Sequence, residues 1–206
     1  MTLGQHAKSI KWRAIFAESS FICASIFLAF ALQDWDEEKD IEERTLIALC
    51  NVKAELAFNR VLIKADYLPR QKGMLSLVNS SIEILRNQPE TELAANNLER
   101  MLLQEPLRYS AWRLAGESGY LLYADFALAT EIGALFDFQT DHYQATINRI
   151  NNAVFDPNTH ATNSSLEAYI TISSLVREWV AQTEYLQKKY EALFISDDFN
   201  GLDCQE

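Results

Sequence analysis

The chain has 206 residues, 49% hydrophobic and 23% charged, with a formal net charge of −11. That is room for one ordinary domain plus an anchor, with enough apolar content to exclude a disordered chain. The acidic balance excludes a phosphate-tracking surface, since the only basic cluster is Lys8, Lys11 and Arg13; no nucleic acid is expected as a partner.

The first feature in chain order is Ala14–Leu32, AIFAESSFICASIFLAFAL, in which Glu18 is the only charged residue. A helix of that length rises about 28 Å, close to the hydrocarbon thickness of a bilayer. Trp12 and Trp35 bracket it as interfacial aromatics do. The reading is a transmembrane helix over 14–33. Basic residues precede it and Asp34, Asp36, Glu37, Glu38 and Asp40 follow it. The basic count places residues 1–13 in the cytoplasm and the rest outside, in the periplasm of a Gram-negative cell. The rival is a cleaved signal peptide, because Ala29-Phe30-Ala31 fits a small-x-small site. The length of the run, and the helical pattern that continues through that site, favour the uncleaved anchor.

No Gly or Pro interrupts the chain between Gly4 and Pro69. Ile41, Thr45, Ala48, Val52, Leu56, Asn59 and Ile63 recur at three- and four-residue spacings, one face of a helix that Pro69 should end. Shorter helices are predicted over 70–87, from Pro89 to before Pro106, and from Ser110 to a Gly119 C-cap. A long helix is predicted over 123–155, broken by Asp156-Pro157-Asn158. Ser164-x-x-Glu167 forms a capping box for a last helix over 166–195, with Ile172, Leu175, Val176, Trp179, Thr183 and Leu186 on one stripe. Residues 197–206 read as a loose tail. The fold class is all-α: a transmembrane helix continuing into an antiparallel helical bundle, residues 34–196, of three long helices plus shorter ones.

Ala31-Leu32-Gln33-Asp34-Trp35 after an early anchor acid, Ala54 to Arg60 in an acidic stalk, Ala111-Trp112, Ser118-Gly119 and a later Tyr143 occur in that order. This order resembles a family of short bacterial single-span membrane proteins with an exported helical domain and no established activity. The resemblance implies an uncleaved anchor and no particular chemistry. Ser19, Ser20 and Cys23 depart from it, standing where more apolar residues would be usual.

Glu18 is costly one turn inside a membrane, and a helix partner would explain it. The competing reading is an acid at the cytoplasmic headgroups. Ser25 and Ala29 are four apart, a spacing that permits close helix approach. Glu55 and Asn59, also four apart, are read as a buried structural polar pair, and Trp112 as a core aromatic. Cys50 and Cys204 stand isolated; an oxidising compartment would allow their disulfide, but no spacing argues for it, and unpaired thiols are the expectation.

His142 has Gln139 three residues before it, so no Glu-x-x-His motif is present, and zinc spacings, Walker and nucleophile-elbow motifs are lacking. No catalytic, metal or cofactor residues are assigned. The expected function is a non-enzymatic interaction or accessory protein of the bacterial envelope. Its expected partners are membrane lipid and either another membrane protein or a second copy. The alternatives are a ligand-sensing bundle signalling through a partner, and an enzyme with an unfamiliar site.

Overall fold

The computed structural model describes residues 12–91, 93, 96–156 and 165–204. Every described element is helical: α1 (Trp12–Leu62), α2 (Leu68–Asn87), α3 (Asn96–Leu102), α4 (Ser110–Glu117), α5 (Phe126–Asp137), α6 (Gln144–Phe155), α7 (Ser165–Ile195) and α8 (Asp197–Asn200). Two π-helical turns, Ile63–Tyr67 and Phe138–Tyr143, join α1 to α2 and α5 to α6, and a 3₁₀ turn covers Tyr120–Tyr123. The chain divides into two compact units, Met1–Arg44 and Thr45–Glu206.

In the first unit, every residue from Glu18 to Asp40 is exposed. Phe21, Ile22, Ile26, Phe27, Leu28 and Phe30 are each at least 50% exposed. At about 3.6 residues per turn these positions go all the way round the helix, so no polar face remains. The acidic stretch beyond is partly balanced within itself. Arg44 pairs with Asp40 at 2.8 Å, and the Lys39 ammonium sits 4.1 Å from the centre of the Trp35 ring. Among the described residues no helix is long and apolar enough to cross a membrane. The run read from the sequence begins with Ala14, Ile15 and Ala17, whose side chains lie outside the described residues, as do residues 1–11 of the basic N-terminus.

The second unit is an antiparallel bundle. Its α1 stripe is buried as the spacing predicts, with Val52, Leu56, Asn59 and Ile63 fully inaccessible and Thr45 and Leu49 nearly so. On α7, Ile172, Val176, Trp179, Thr183 and Leu186 are buried likewise, and Leu175 partly. Cross-helix partners give the direction. Asn59 meets Tyr190, Lys72 meets Glu184 and Asn79 meets Ser173, so α1–α2 and α7 run oppositely. Phe138 meets Tyr185 and Arg149 meets Glu178, so α5–α6 also runs against α7.

The helix does not end at Pro69. The π turn inserts one extra residue before it: Leu68 N–H donates to Ile63 O, five residues back, and Pro69 enters the first turn of α2. Proline needs no amide donor there, and the shifted ladder leaves space for its ring. Pro89 opens a turn rather than a helix, with Thr91 N–H bonded to Gln88 O, and α3 starts only at Asn96. The long helix starts later than predicted, because the Asp125 carboxylate caps Leu128 N–H at 2.9 Å. The proposed capping box cannot be compared, since Ser164 lies outside the described residues.

The expected loose tail is tied down. Phe199 is fully buried and meets Phe194 edge-on at 5.0 Å. Lys53 Nζ donates to the carbonyl oxygens of Asn200 and Leu202. Cys204 is disulfide-bonded to Cys50, against the expectation of unpaired thiols. Sequence spacing held no signal for this pair, because the two cysteines are 154 residues apart and only the antiparallel return of α7 brings them together. A crosslink over so long a loop removes much of the unfolded chain's freedom. Cys50→Ser, or reductant, should therefore destabilise the second unit by about 2–5 kcal/mol, read as a lower urea midpoint for the full chain in detergent. An unchanged midpoint would mean that the thiols are unpaired.

Candidate functional site

Between α3 and α4 the chain runs through Leu103–Tyr109 without regular structure, so its peptide groups need partners from elsewhere. The helical stretch on the other side supplies them from successive turns. The Glu55 carboxylate accepts from Ser110 Oγ and Ala111 N at 2.9 Å, and from Trp112 N at 3.4 Å. It thereby caps the start of α4 from another helix, where free amide groups and the helix dipole favour an anion. Asn59 holds both sides of the Arg108 peptide: its Nδ2 donates to Arg108 O at 2.7 Å and its Oδ1 accepts from Arg108 N at 2.8 Å. The Tyr67 hydroxyl donates to Glu105 O, and Arg70 Nη1 donates to Leu103 O at 2.6 Å. The chain of α1 and α2 ascends while the strap descends, so one face of one helical stretch holds the whole segment.

Glu55 and Asn59 are therefore both buried, but they bond to the strap rather than to each other. Trp112 is half-buried and stacks on Phe136, with ring centres 5.5 Å apart. A Cβ at Gly133 would stand 3.3 Å from the indole Cζ2, so glycine leaves the close approach that Trp112 uses. In the other unit Glu18 and Ala29 are exposed, and the Ser25 hydroxyl donates to Phe21 O of its own helix. His142 is exposed beside Phe138.

The strap's neighbours form two buried polar chains that sequence reasoning missed. In the first, Asn59 Nδ2 reaches the Tyr190 hydroxyl at 3.3 Å, Tyr190 donates to Gln139 Oε1 at 2.7 Å, and Gln139 Nε2 donates to Arg108 O at 3.1 Å. In the second, Gln71 Nε2 donates to the Tyr143 hydroxyl at 2.9 Å, and that hydroxyl lies 3.1 Å from Thr183 Oγ1. Thr183 spends its own proton on Trp179 O, leaving Tyr143 to donate to Thr183. A signal was present: Glu55, Asn59, Tyr67 and Gln71 continue one four-residue register as polar groups on an apolar stripe. The π turns add the rest, each ending on a buried tyrosine, Tyr67 and Tyr143, whose rings stack with centres 6.3 Å apart.

A pocket of about 330 Å³ opens between the strap and the second π turn. Tyr67, Tyr143, Gln139, Gln104, Pro106 and Ile147 are among its lining, and no lining residue is charged. Gln104 Oε1 is buried without a hydrogen-bond partner. The pocket can thus offer ring faces and amide groups to a neutral ligand. Tyr67 and Tyr143 in this lining, like Tyr190 in the neighbouring polar chain, stay protonated and are reluctant proton donors, because burial pushes all three well above the ordinary phenol range. A larger groove of about 720 Å³ between α2 and α7 is open to solvent, and its Arg86 is already paired with Glu83. Among the described residues no group of three or more His, Cys, Asp or Glu is placed to hold a metal ion.

Compared with known proteins, the chain matches no family model, no curated protein and no solved structure.

Two outcomes follow from the buried polar chains. Asn59→Leu takes the Arg108 amide's partner and leaves the carbonyl to Gln139 alone, and should cost on the order of 1–3 kcal/mol in denaturant unfolding. A loss of a few tenths would show the strap to be satisfied by water. The second outcome concerns alkali. A phenol whose folded pKa is raised binds its proton more tightly when folded, so its stabilisation is complete below the unfolded value and is lost as pH rises above about 10. In a spectrophotometric titration of the eight tyrosines, Tyr67, Tyr143 and Tyr190 should ionise only together with unfolding. Smooth titration of all eight near pH 10 in folded protein would contradict that.

Proposed function

We propose that this chain is a membrane-anchored, non-enzymatic interaction or accessory protein of the bacterial envelope, with residues 1–13 cytoplasmic and the helical domain exported. The observation that carries the reading is the helix surface over 21–32, where large apolar side chains are distributed around the helix and exposed. Large apolar side chains with no polar face are stable in hydrocarbon and costly in water. The run from Ala14 to Leu32 supplies the length. Export has separate support from the Cys50–Cys204 disulfide, since such bonds persist in oxidising compartments. The resemblance of Ala31–Trp35 and Ala54–Arg60 to single-span envelope proteins agrees with it. Glu18, with Ser25 and Ala29 further along the helix, is the proposed contact to a neighbouring membrane helix.

A second reading is a ligand-sensing bundle that signals through a partner membrane protein. It is favoured by the neutral pocket, because π turns occur often at functional sites and here they supply two of its three tyrosines, Tyr67 and Tyr143.

Reporters fused after Glu206 test the topology: one active only in the periplasm should work and one active only in the cytoplasm should stay silent. The reverse pattern removes the proposal. In the same membranes, crosslinked species should persist in Glu18→Gln and weaken in Glu18→Leu.

A further inference from the structure

We infer that the pocket between the strap and the second π turn binds a small uncharged aromatic molecule carrying one N–H or O–H donor, held by the side-chain oxygen of Gln104. The inference deepens the ligand-sensing reading given above and rests on it.

An apolar cavity of about 150 Å³ holds one benzene ring. The pocket measures about 330 Å³, at the small end of the range for small-molecule sites, and has room for two fused rings. Its wall is held from both sides. Asn59 and Tyr67 bond to the strap, and Gln139 and Tyr143 of the π turn are bonded to Arg108 O and to Gln71. A site already formed in this way spends little of its binding energy on ordering itself.

No lining residue is charged, and the charged side chains nearest in sequence are occupied elsewhere. Arg108 lies over the Phe58 ring, 3.4 Å from its centre, and pairs with Glu105. Arg70 pairs with Asp66 and donates to Leu103 O. An ion entering the pocket would leave water without gaining a counter-charge, a cost that a neutral ligand avoids.

Most buried polar groups of the wall are already spent. The Tyr67 hydroxyl donates to Glu105 O. The Tyr143 hydroxyl accepts from Gln71 and donates to Thr183. Gln139 accepts from Tyr190 and donates to Arg108 O. What the two tyrosines have left to offer is ring surface. Gln104 Oε1 is different: it is buried and has no partner in the chain. Buried polar atoms are nearly always paired, and an acceptor left without a donor is costly. A ligand N–H or O–H supplies that donor, while an aromatic ring suits the tyrosine rings.

The experiment uses the full chain in detergent, photolabelled with 5-azidoindole and then digested for peptide mapping. Label should enter residues 102–109 or 139–147, and indole should displace it. 1-Methylindole has lost the N–H and should need at least about tenfold more, the loss expected when a buried acceptor goes unpaired. Indole-3-acetate, an anion at neutral pH, should also displace poorly. In Gln104→Leu the gap between indole and 1-methylindole should close while the label keeps its place. Comparing that gap between the two proteins cancels the partition of each competitor into detergent. If 1-methylindole competes as well as indole in the wild type, or the gap survives in Gln104→Leu, the Gln104 contact is overturned. Displacement by indole-3-acetate as good as by indole overturns the neutral class. Both results leave a labelled pocket, and the ligand-sensing reading with it, standing. Label confined to residues 14–35, or absent from the two pocket segments, overturns the inference and removes the observation behind that reading too.

Discussion

An irregular segment laid against a helical bundle needs partners for its peptide groups, and in this protein side chains of one helical stretch bond to peptide groups along Leu103–Trp112, a segment whose Leu107 is buried. Glu55, Asn59, Tyr67 and Arg70 bond in turn to Ala111, Arg108, Glu105 and Leu103. Buried amides and carbonyls without partners would each cost on the order of 1–3 kcal/mol. The polar residues on the α1 stripe are therefore requirements of the strap, not interruptions of the core.

The two π turns belong to the same arrangement. An extra residue in a helix rotates everything beyond it, and the rotation at Ile63–Tyr67 keeps the polar register facing inward through Gln71. The rotation at Phe138–Tyr143 brings Gln139 to Arg108 O and Tyr143 to Gln71 and Thr183. The neutral pocket lies where strap and second π turn meet, so its shape depends on the bonds that hold the strap.

The two units meet opposite demands. In Thr45–Glu206, apolar surface is withdrawn into a core closed by a disulfide and a buried Phe199. In Met1–Arg44, the large apolar side chains described from Phe21 to Trp35 are exposed. A single sequence supports both because its periodicity changes near Ile41, from apolar on every side to one apolar stripe.

Helix content and the core stripes of α1 and α7 were legible in the sequence, because periodic apolar residues with few breakers admit one burial solution. The capping role of Asp125 was not read, nor that Pro69 would enter a helix; both depend on a local hydrogen-bond register that a one-residue π insertion shifts. Glu55 and Asn59 were recognisable as buried polar residues, since each sits within an apolar stripe. Their partners were not, because Arg108 and Ser110 lie 49 and 55 residues away. The same holds for Tyr190 with Gln139 and for Cys50 with Cys204. Local pattern determines which residues turn inward; only the antiparallel return of the later helices decides what each of them meets there.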